Sequence, residues 1–290
     1  MAPRMGDSAS AMGEARRLAR NEFWEAAKPM TPFVALERPD GVFLLPTSID
    51  AKLFVEGSRG EFIVLPRALE ALRRAGRLAE HRNLVDIGAH IGTTTIPAVR
   101  AHGIEEVVAI EPDPDVLVLL RANLELNGVT DRVKVVDAAV AGTEGEAAFR
   151  QGTRTPYVHR WMKGQLVSEP SAATVPVRTV TLDGLVREGV IDPAATALLW
   201  FDCAGREEEA LQTAESFLAR RVPIIFTLRR SAVVRGSSLV ELLASEYDSA
   251  VDLRHPSLGG DVSAWAPTVR PIGELRDLRI RSKLTDVLVF

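Results

Sequence analysis

Residues 84–92 read Leu-Val-Asp-Ile-Gly-Ala-His-Ile-Gly, and this stretch decides the fold. It starts as a short apolar run, reaches Asp86 near the end of that run and then turns through two glycines. A strand followed by a glycine-containing turn and a helix brings backbone N–H groups and the helix N-terminus against a ligand. The next apolar run ends at Glu111, where a carboxylate can accept hydrogen bonds from both hydroxyls of a ribose. The pattern predicts a nucleotide-cofactor site.

The residues that follow this stretch refine the prediction. Pro97 lacks an N–H group, which is harmless only within the first four residues of a helix, so the helix should begin at about Thr93 to Thr95. A dinucleotide fingerprint requires G-x-G-x-x-G, and His90 stands where its second glycine belongs. A nicotinamide cofactor is therefore the second choice.

Short apolar runs recur along the chain, separated in its first half by helical segments such as Asp115 to Leu126. The runs lie at 84–87, 107–110, 133–136, 198–201, 222–226 and 286–290. They do not alternate in polarity, which is typical of strands buried on both faces. This order predicts an α/β fold with a doubly wound, mostly parallel sheet, in which ligands bind beyond the carboxyl ends of the strands.

The flanking segments have different patterns. Residues 1–60, rich in prolines towards their end, are expected to form an N-terminal extension and cap, and residues 61–290 the main domain. Prolines and glycine interrupt any helix within about 145–181. We expect a loop-rich insertion there, flanked by strands at 145–150 and near Val175–Val180.

Composition narrows the classes of partner and location. A net charge of −4 gives no electrostatic reason to expect nucleic acid, so no nucleic-acid partner is predicted. No apolar stretch approaches the roughly 20 residues that span a bilayer, so no membrane partner is predicted either. Cys203 is the single cysteine, which excludes an internal disulfide and a cysteine zinc cluster. A cytoplasmic protein without a metal is expected, and its oligomeric state cannot be read from these features.

Several ordered blocks of the chain resemble the FkbM-type S-adenosylmethionine-dependent methyltransferases. The blocks are Val85–Gly92, Ala109–Pro114, Leu120–Gly128, Asp137–Val140, Val180–Asp183, Leu199–Gly205 and Thr285–Leu288. The resemblance implies a Rossmann-like class I methyltransferase fold, with a mostly parallel seven-stranded sheet and an antiparallel C-terminal strand. It also implies S-adenosylmethionine as cofactor and O-methylation of a small-molecule or sugar-like acceptor.

The same resemblance implies a set of site residues. The amino acid end of the cofactor would lie against Asp86 and the loop 88–92, the ribose against Glu111, and the adenine beside Asp137 and Ala138. The full cofactor-binding set is Asp86, Gly88, Ala89, His90, Gly92, Glu111, Pro112, Asp137 and Ala138. An acidic pocket suits the cofactor, because its sulfonium and its ammonium are both cationic.

Asp202, at the carboxyl end of the run 198–201, is the predicted catalytic residue on the acceptor side. Ala204 and Thr227 stand where many family members have polar or acidic side chains. Glu207 and Glu208 could supply the missing polar groups, although a solvated helix start is the simpler interpretation of these two residues. A lid over the acceptor is the other source, and its side chains would be Tyr157, His159, Arg160, Trp161 and Lys163.

Two other functions stay open at this point. One is a catalytically impaired S-adenosylmethionine-binding homologue with a structural or regulatory role, because Ala204 and Thr227 remove polar groups. The other is an NAD-dependent oxidoreductase, which shares the strand, glycine turn and acidic residue but not the glycine spacing.

Overall fold

Alternating strands and helices make up most of the described chain. The computed structural model describes residues 5–47, 54, 61–150, 165–167, 174–203, 206–229, 238–254, 267–277 and 284–290. The strands are β1 (Phe33–Arg38), β2 (Gly41–Pro46), β3 (Asn83–Ile87), β4 (Glu106–Glu111), β5 (Val133–Asp137), β6 (Ala139–Val140), β7 (Gly145–Arg150), β8 (Gln165–Val167), β9 (Thr174–Val180), β10 (Thr196–Phe201), β11 (Ile224–Arg229), β12 (Ser249–Asp252), β13 (Val269–Pro271) and β14 (Leu284–Val289). The helices are α1 (Met5–Ala27), α2 (Glu61–Arg74), α3 (Thr95–Ala101), α4 (Pro114–Leu126), α5 (Leu182–Arg187), α6 (Glu207–Leu211), α7 (Glu215–Leu218) and α8 (Ser238–Glu246). Short 3-10 helices span Thr130–Arg132 and Ile272–Asp277.

A large mixed sheet forms the centre of the molecule. Its strand order across the described residues is β13-β12-β14-β11-β10-β3-β4-β5. The strands from β11 to β5 are parallel to one another, and β14 runs antiparallel to both of its neighbours. This confirms the predicted doubly wound, mostly parallel sheet with an antiparallel C-terminal strand. The three-residue strand β13 adds a further edge strand that the sequence pattern did not indicate.

The sheet is buried on both faces. In β10, Leu198 and Trp200 belong to the apolar cluster on one face, whereas Leu199 and Phe201 belong to the cluster on the other. Because neighbouring residues of a strand point to opposite faces, a strand covered on both sides needs apolar residues at every position. This requirement explains why the runs predicted as strands do not alternate in polarity.

The order of the sheet fixes where a ligand can bind. The chain runs from β3 outwards to β4 and β5, then returns to β10, which lies on the other side of β3. The loops after β3 and β10 therefore diverge, leaving a crevice at the carboxyl end of the sheet. The stretch 84–92 and Asp202 lie on the two sides of this switch point.

Smaller elements pack around the central sheet. β1 and β2 form an antiparallel hairpin, and β2 packs against α4. The expected strands at both ends of the insertion are present as β7 and β9, which pair in a four-stranded sheet. No helix among the described residues is both long and apolar enough to cross a membrane. The predicted domain boundary near residue 61 stays a prediction.

Candidate functional site

Four carboxylates gather where the parallel strands end. Asp86 is the second-last residue of β3, Glu111 ends β4, Asp137 ends β5 and Asp202 directly follows β10. The register pairs Asp86 with Trp200 and Glu111 with Asp137 on adjacent strands. The strand order therefore places these four residues at one edge of the sheet, and their binding and catalytic roles stay predictions.

The loop after β3 turns sharply because several of its residues adopt left-handed backbone conformations. The φ angles are +84° at Gly88, +54° at His90 and +91° at Gly92. Glycine adopts such angles freely, whereas a left-handed histidine is uncommon and strained. The N–H groups of Gly88 and Ala89 both donate to the carbonyl oxygen of Ile110, at 2.8 and 3.1 Å, which anchors the start of the loop to β4.

Gly88 also brings the loop into contact with Asp202. A Cβ atom at Gly88 would lie 2.4 Å from the carbonyl oxygen of Asp202. The Asp202 N–H donates to the carbonyl oxygen of Ile87 at 2.9 Å, which keeps the two chain segments together. The predicted cofactor loop and the predicted acceptor-side residue thus meet at a position where only glycine fits.

Glu111 holds the cofactor loop from the neighbouring strand. Its carboxylate accepts hydrogen bonds from the N–H groups of His90 at 2.9 Å and Asp113 at 3.0 Å, and the residue is 6% exposed. The sequence pattern predicted the ligand role of Glu111, but it gave no signal that this side chain also fixes the loop.

Asp86 lies beneath the same loop and is 1% exposed. The hydroxyl of Thr95, the first residue of α3, donates to its Oδ2 at 2.6 Å. The start of α3 at Thr95 confirms the helix start predicted from Pro97. This hydrogen bond ties the end of β3 to the beginning of α3, so the loop between them is held at both ends.

Three further residues of the predicted cofactor-binding set lie at the ends of β4 and β5: Pro112, and the pair Asp137 and Ala138, which were predicted beside the adenine. Pro112 is half-buried, Ala138 is fully buried and the Asp137 side chain is 54% exposed. Nη2 of Arg121, on α4, donates to both carboxylate oxygens of Asp137, at 2.5 and 2.7 Å. An exposed ion pair of this kind contributes about 0 to 1 kcal/mol, so Arg121 can give way to a ligand at little cost.

On the acceptor side, a polar row continues from Asp202 across β11 and β14. Thr227 and Asp286 are register partners on these two strands, and the Thr227 hydroxyl donates to Oδ1 of Asp286 at 2.8 Å. The guanidinium of Arg254, just beyond β12, donates through Nε to Oδ2 of Asp286. Sequence reasoning missed Asp286 and Arg254 as site residues. The available signal was an aspartate within an otherwise apolar C-terminal strand.

Asp286 is a buried carboxyl with a perturbed pKa. The residue is 3% exposed, and burial is the main cause that raises the pKa of its carboxyl above the ordinary value. The charge of Asp202 raises that pKa further, while Arg254 and Thr227 oppose the shift. Buried acids with perturbed pKa values and specific charge partners mark candidate functional sites.

Replacing Arg254 with methionine should destabilise the protein most at neutral pH, by about 2 to 4 kcal/mol, because Asp286 would remain buried without its cation. A carboxyl whose pKa is raised on folding favours the folded state below its unfolded pKa, and that contribution is lost as pH rises through its folded pKa. Removing Arg254 raises the pKa of Asp286 further. The stability difference from wild type should therefore shrink as the pH falls towards about 4.

Urea unfolding between pH 4 and pH 8 measures this difference. The control is Arg221→Met, since Arg221 pairs with Asp248 at 2.7 Å and both side chains are largely exposed. That variant should lose about 0 to 1 kcal/mol. Equal losses in the two variants, or a loss at Arg254 that does not change with pH, would contradict the assigned role of the Arg254–Asp286 pair.

Of the other acceptor-side predictions, one is contradicted by the structure and others concern residues outside the described part of the chain. Glu207, expected at a solvated helix start, is instead 7% exposed and lies in the first turn of α6. The solvated interpretation is therefore wrong for Glu207, because α6 packs against α8. Ala204 lies outside the described residues, as do the predicted lid side chains Tyr157, His159, Arg160, Trp161 and Lys163. The lid stays a prediction.

Comparison with known proteins identifies the family to which the chain belongs. The model of the Methyltransferase FkbM domain family matches residues 86–249, more than half of the chain. A curated relative, ribosomal protein L11 methyltransferase of Geobacter sp. (strain M21), is 42% identical over 69 residues, which are 22% of each chain. The solved methyltransferase FkbM from Methylobacillus flagellatus KT is 17% identical with a TM-score of 0.45, over 83% of this chain and 52% of that one. M. jannaschii TYW2 in complex with AdoMet is 14% identical with a TM-score of 0.41, over 89% of this chain and 84% of that one. This chain therefore spans about half of the solved FkbM protein and under a quarter of the curated relative.

The prediction that excluded nucleic acid as a partner is wrong. Similar solved structures include M. jannaschii tRNA m1G37 methyltransferase, 11% identical with a TM-score of 0.41, over 90% of this chain and 54% of that one. The net charge of a whole chain does not describe the charge of one surface, which is what a phosphate backbone contacts. Nucleic acid therefore belongs among the acceptors to be tested.

Proposed function

Because this chain belongs to the FkbM methyltransferase family, we propose that it is an S-adenosylmethionine-dependent methyltransferase that methylates a hydroxyl oxygen of a small-molecule or sugar-like acceptor. The single observation that carries the proposal is the loop 88–92. It is closed by Glu111, held above Asp86 and in contact with Asp202. Such a loop at the switch point of a parallel sheet is suited to a nucleoside cofactor beside a reacting group.

The polar groups of the site fit S-adenosylmethionine. Asp86 and the loop 88–92 would hold the amino acid end of the cofactor, and Glu111 would accept from the ribose hydroxyls. Asp137 and Ala138, beyond Pro112, would border the adenine. The carboxylates of Asp86 and Glu111 also give the pocket the negative potential that a cationic cofactor requires.

Methyl transfer to oxygen needs alignment and removal of a proton. When bound, S-adenosylmethionine would supply a methyl group on a sulfonium, whose carbon–sulfur bond would break as the acceptor oxygen bonds to the methyl carbon, leaving a neutral thioether. Asp202 would accept the proton of the acceptor hydroxyl. The contact between Gly88 and the backbone of Asp202 keeps the cofactor loop and this carboxylate in fixed relation. Holding the reactants in such a relation supplies several kcal/mol of the acceleration.

Calorimetric titration of the purified chain with S-adenosylhomocysteine and, separately, with NAD tests the cofactor. Saturable binding of S-adenosylhomocysteine with no binding of NAD is expected. Binding of NAD alone would establish the oxidoreductase alternative and overturn the proposal. His90 adopts a positive φ angle, as a glycine can. It still carries a side chain where the dinucleotide fingerprint requires a glycine, so the angle does not restore that fingerprint.

The acceptor requires a different experiment. Protein incubated with methyl-labelled S-adenosylmethionine is supplied either with a small-molecule extract of the source cells or with their total tRNA. Label in the small-molecule fraction, in an alkali-stable ether linkage, is expected. Label only in tRNA would replace the proposed acceptor. Cofactor binding without labelled product in either fraction would favour the catalytically impaired homologue.

Replacing Asp86 or Glu111 with alanine should each weaken S-adenosylhomocysteine binding by about 1 to 3 kcal/mol, because each change removes charged hydrogen bonds to the ligand. The two variants should differ in a second measurement. Glu111→Ala also releases the N–H groups of His90 and Asp113, so it should increase hydrogen exchange in the loop of the free protein. Near-native affinity in both variants would show that the cofactor lies elsewhere.

A further inference from the structure

Asn123, on α4, and Asn127, directly after α4, form hydrogen bonds to the backbone of β2 in the N-terminal hairpin. Oδ1 of Asn123 accepts from the N–H of Leu44 at 2.7 Å, and Oδ1 of Asn127 accepts from the N–H of Val42 at 2.9 Å. Nδ2 of Asn127 donates to the carbonyl oxygen of Val42 at 2.6 Å. These bonds pair alternate backbone groups of β2, so they fix the hairpin on the domain that carries the site.

Asn123 makes one contact that Asn127 does not. Its Nδ2 donates to the carbonyl oxygen of Ile91 at 3.0 Å, inside the cofactor loop. Ile91 stands between His90 and Gly92, which both adopt left-handed backbone conformations. Asn123 is fully buried, so water cannot replace this bond.

The planar carboxamide of Asn123 makes the two bonds depend on each other. Its oxygen accepts from the Leu44 N–H of the hairpin, while its nitrogen donates to the Ile91 carbonyl oxygen of the loop at 3.0 Å and makes a longer contact of 3.5 Å to the Leu44 carbonyl oxygen. Rotation of the amide would break the bonds to the hairpin and to the loop at once. Loss of the hairpin contact removes the constraint on the amide, and the Ile91 carbonyl then loses its fixed donor. Asn127 has no such link, because its second donor bond goes to the backbone of Asn123 at 2.7 Å.

We propose that the hairpin 33–46 is a functional part of the cofactor site, and that Asn123 is the positioning residue that transmits its docking to the loop 88–92. This inference rests on the proposed binding of S-adenosylmethionine by that loop. It assigns to the N-terminal segment a role in ligand affinity beyond covering the core.

The contrast between the two asparagines tests the proposal in the full-length protein. Asn123→Ala and Asn127→Ala each remove a side chain that pairs with the hairpin, so both should lower the urea midpoint. Only Asn123→Ala should weaken S-adenosylhomocysteine binding, by about tenfold or more. Asn123→Asp is the complementary change: it keeps an acceptor for the Leu44 N–H but sets a second acceptor against the Ile91 carbonyl oxygen, so it removes the loop bond selectively.

Hydrogen exchange in the absence of ligand separates this inference from the proposed function. In Asn123→Asp, amides 88–92 should exchange faster while the Val42 and Leu44 amides keep their protection. Equal S-adenosylhomocysteine affinity in the Asn123 and Asn127 variants, or unchanged exchange of the loop, would overturn the role of Asn123. Failure of the wild-type protein to bind S-adenosylhomocysteine would overturn the proposed function instead, and loop exchange would still decide the coupling.

Discussion

Replacing Gly88 with alanine is expected to destabilise the protein by about 3 kcal/mol and to weaken S-adenosylhomocysteine binding about 100-fold. The added methyl group would lie 2.4 Å from the carbonyl oxygen of Asp202, a backbone atom that cannot rotate away. The φ angle of +84° is unfavourable for alanine as well. The loop must therefore move away from β10, and its donors move with it. Urea unfolding and calorimetry measure the two effects.

Gly76 provides a matched control for this change. It has a φ angle of +66°, yet a Cβ atom there would meet nothing within 4 Å. Gly76→Ala should cost about 1 to 2 kcal/mol through the backbone alone and leave ligand affinity unchanged. If Gly88→Ala behaved like Gly76→Ala in both measurements, the close approach between the loop and Asp202 would have no functional importance.

Replacing Asp202 with alanine is expected to lower the rate of methyl transfer about 100- to 10,000-fold, the usual contribution of a positioned general base. Affinity for S-adenosylhomocysteine should stay within a few-fold of wild type, because the Asp202 N–H that binds Ile87 belongs to the backbone and is retained. The rate is measured as labelled product per enzyme under saturating cofactor. A fall in rate with intact cofactor binding is the signature of an acceptor-side residue.

Asp252→Asn is the companion variant. Asp252 ends β12 at the same edge of the sheet, where its carboxylate accepts from the Thr285 hydroxyl at 2.5 Å. Its Oδ1 also accepts from the Arg254 N–H at 3.0 Å. Because two strands, β14 and β11, separate β12 from β10, Asp252→Asn should affect stability and lower the rate of transfer far less than Asp202→Ala does. An Asp202→Ala enzyme that transfers methyl groups at the wild-type rate would remove Asp202 from the mechanism.

The two large effects divide the site between its ligands. In the proposed function, Gly88 and the loop would control cofactor binding, and Asp202 would act on the acceptor. Asp286 is linked to Asp202 by charge, since Asp202 raises the pKa of the Asp286 carboxyl. Asp286, the register partner of Thr227 on the neighbouring strand, would then supply a carboxylate on the acceptor side.

The sequence by itself determined the local elements and the position of the cofactor loop. Apolar runs without alternation predicted the strands of the parallel core, and Pro97 predicted a helix start that the structure places at Thr95. The predicted helical segment Asp115 to Leu126 matches α4, which ends at Leu126 with Asn127 as its C-terminal cap. These features follow from backbone geometry and burial over a few neighbouring residues, which is information that a sequence carries directly.

Only the tertiary structure decided which distant side chains meet. The C-terminal strand β14 lies between β11 and β12, which brings Asp286 to Thr227 and Arg254. The hairpin docks on α4, which brings Leu44 to Asn123 and, through Asn123, to Ile91. The physical reason is that the spacing of apolar residues along the chain indicates whether a segment is a helix or a strand. The partners of a polar side chain depend instead on the order in which the strands and helices pack. That order results from burying all apolar faces together, so no single segment contains it.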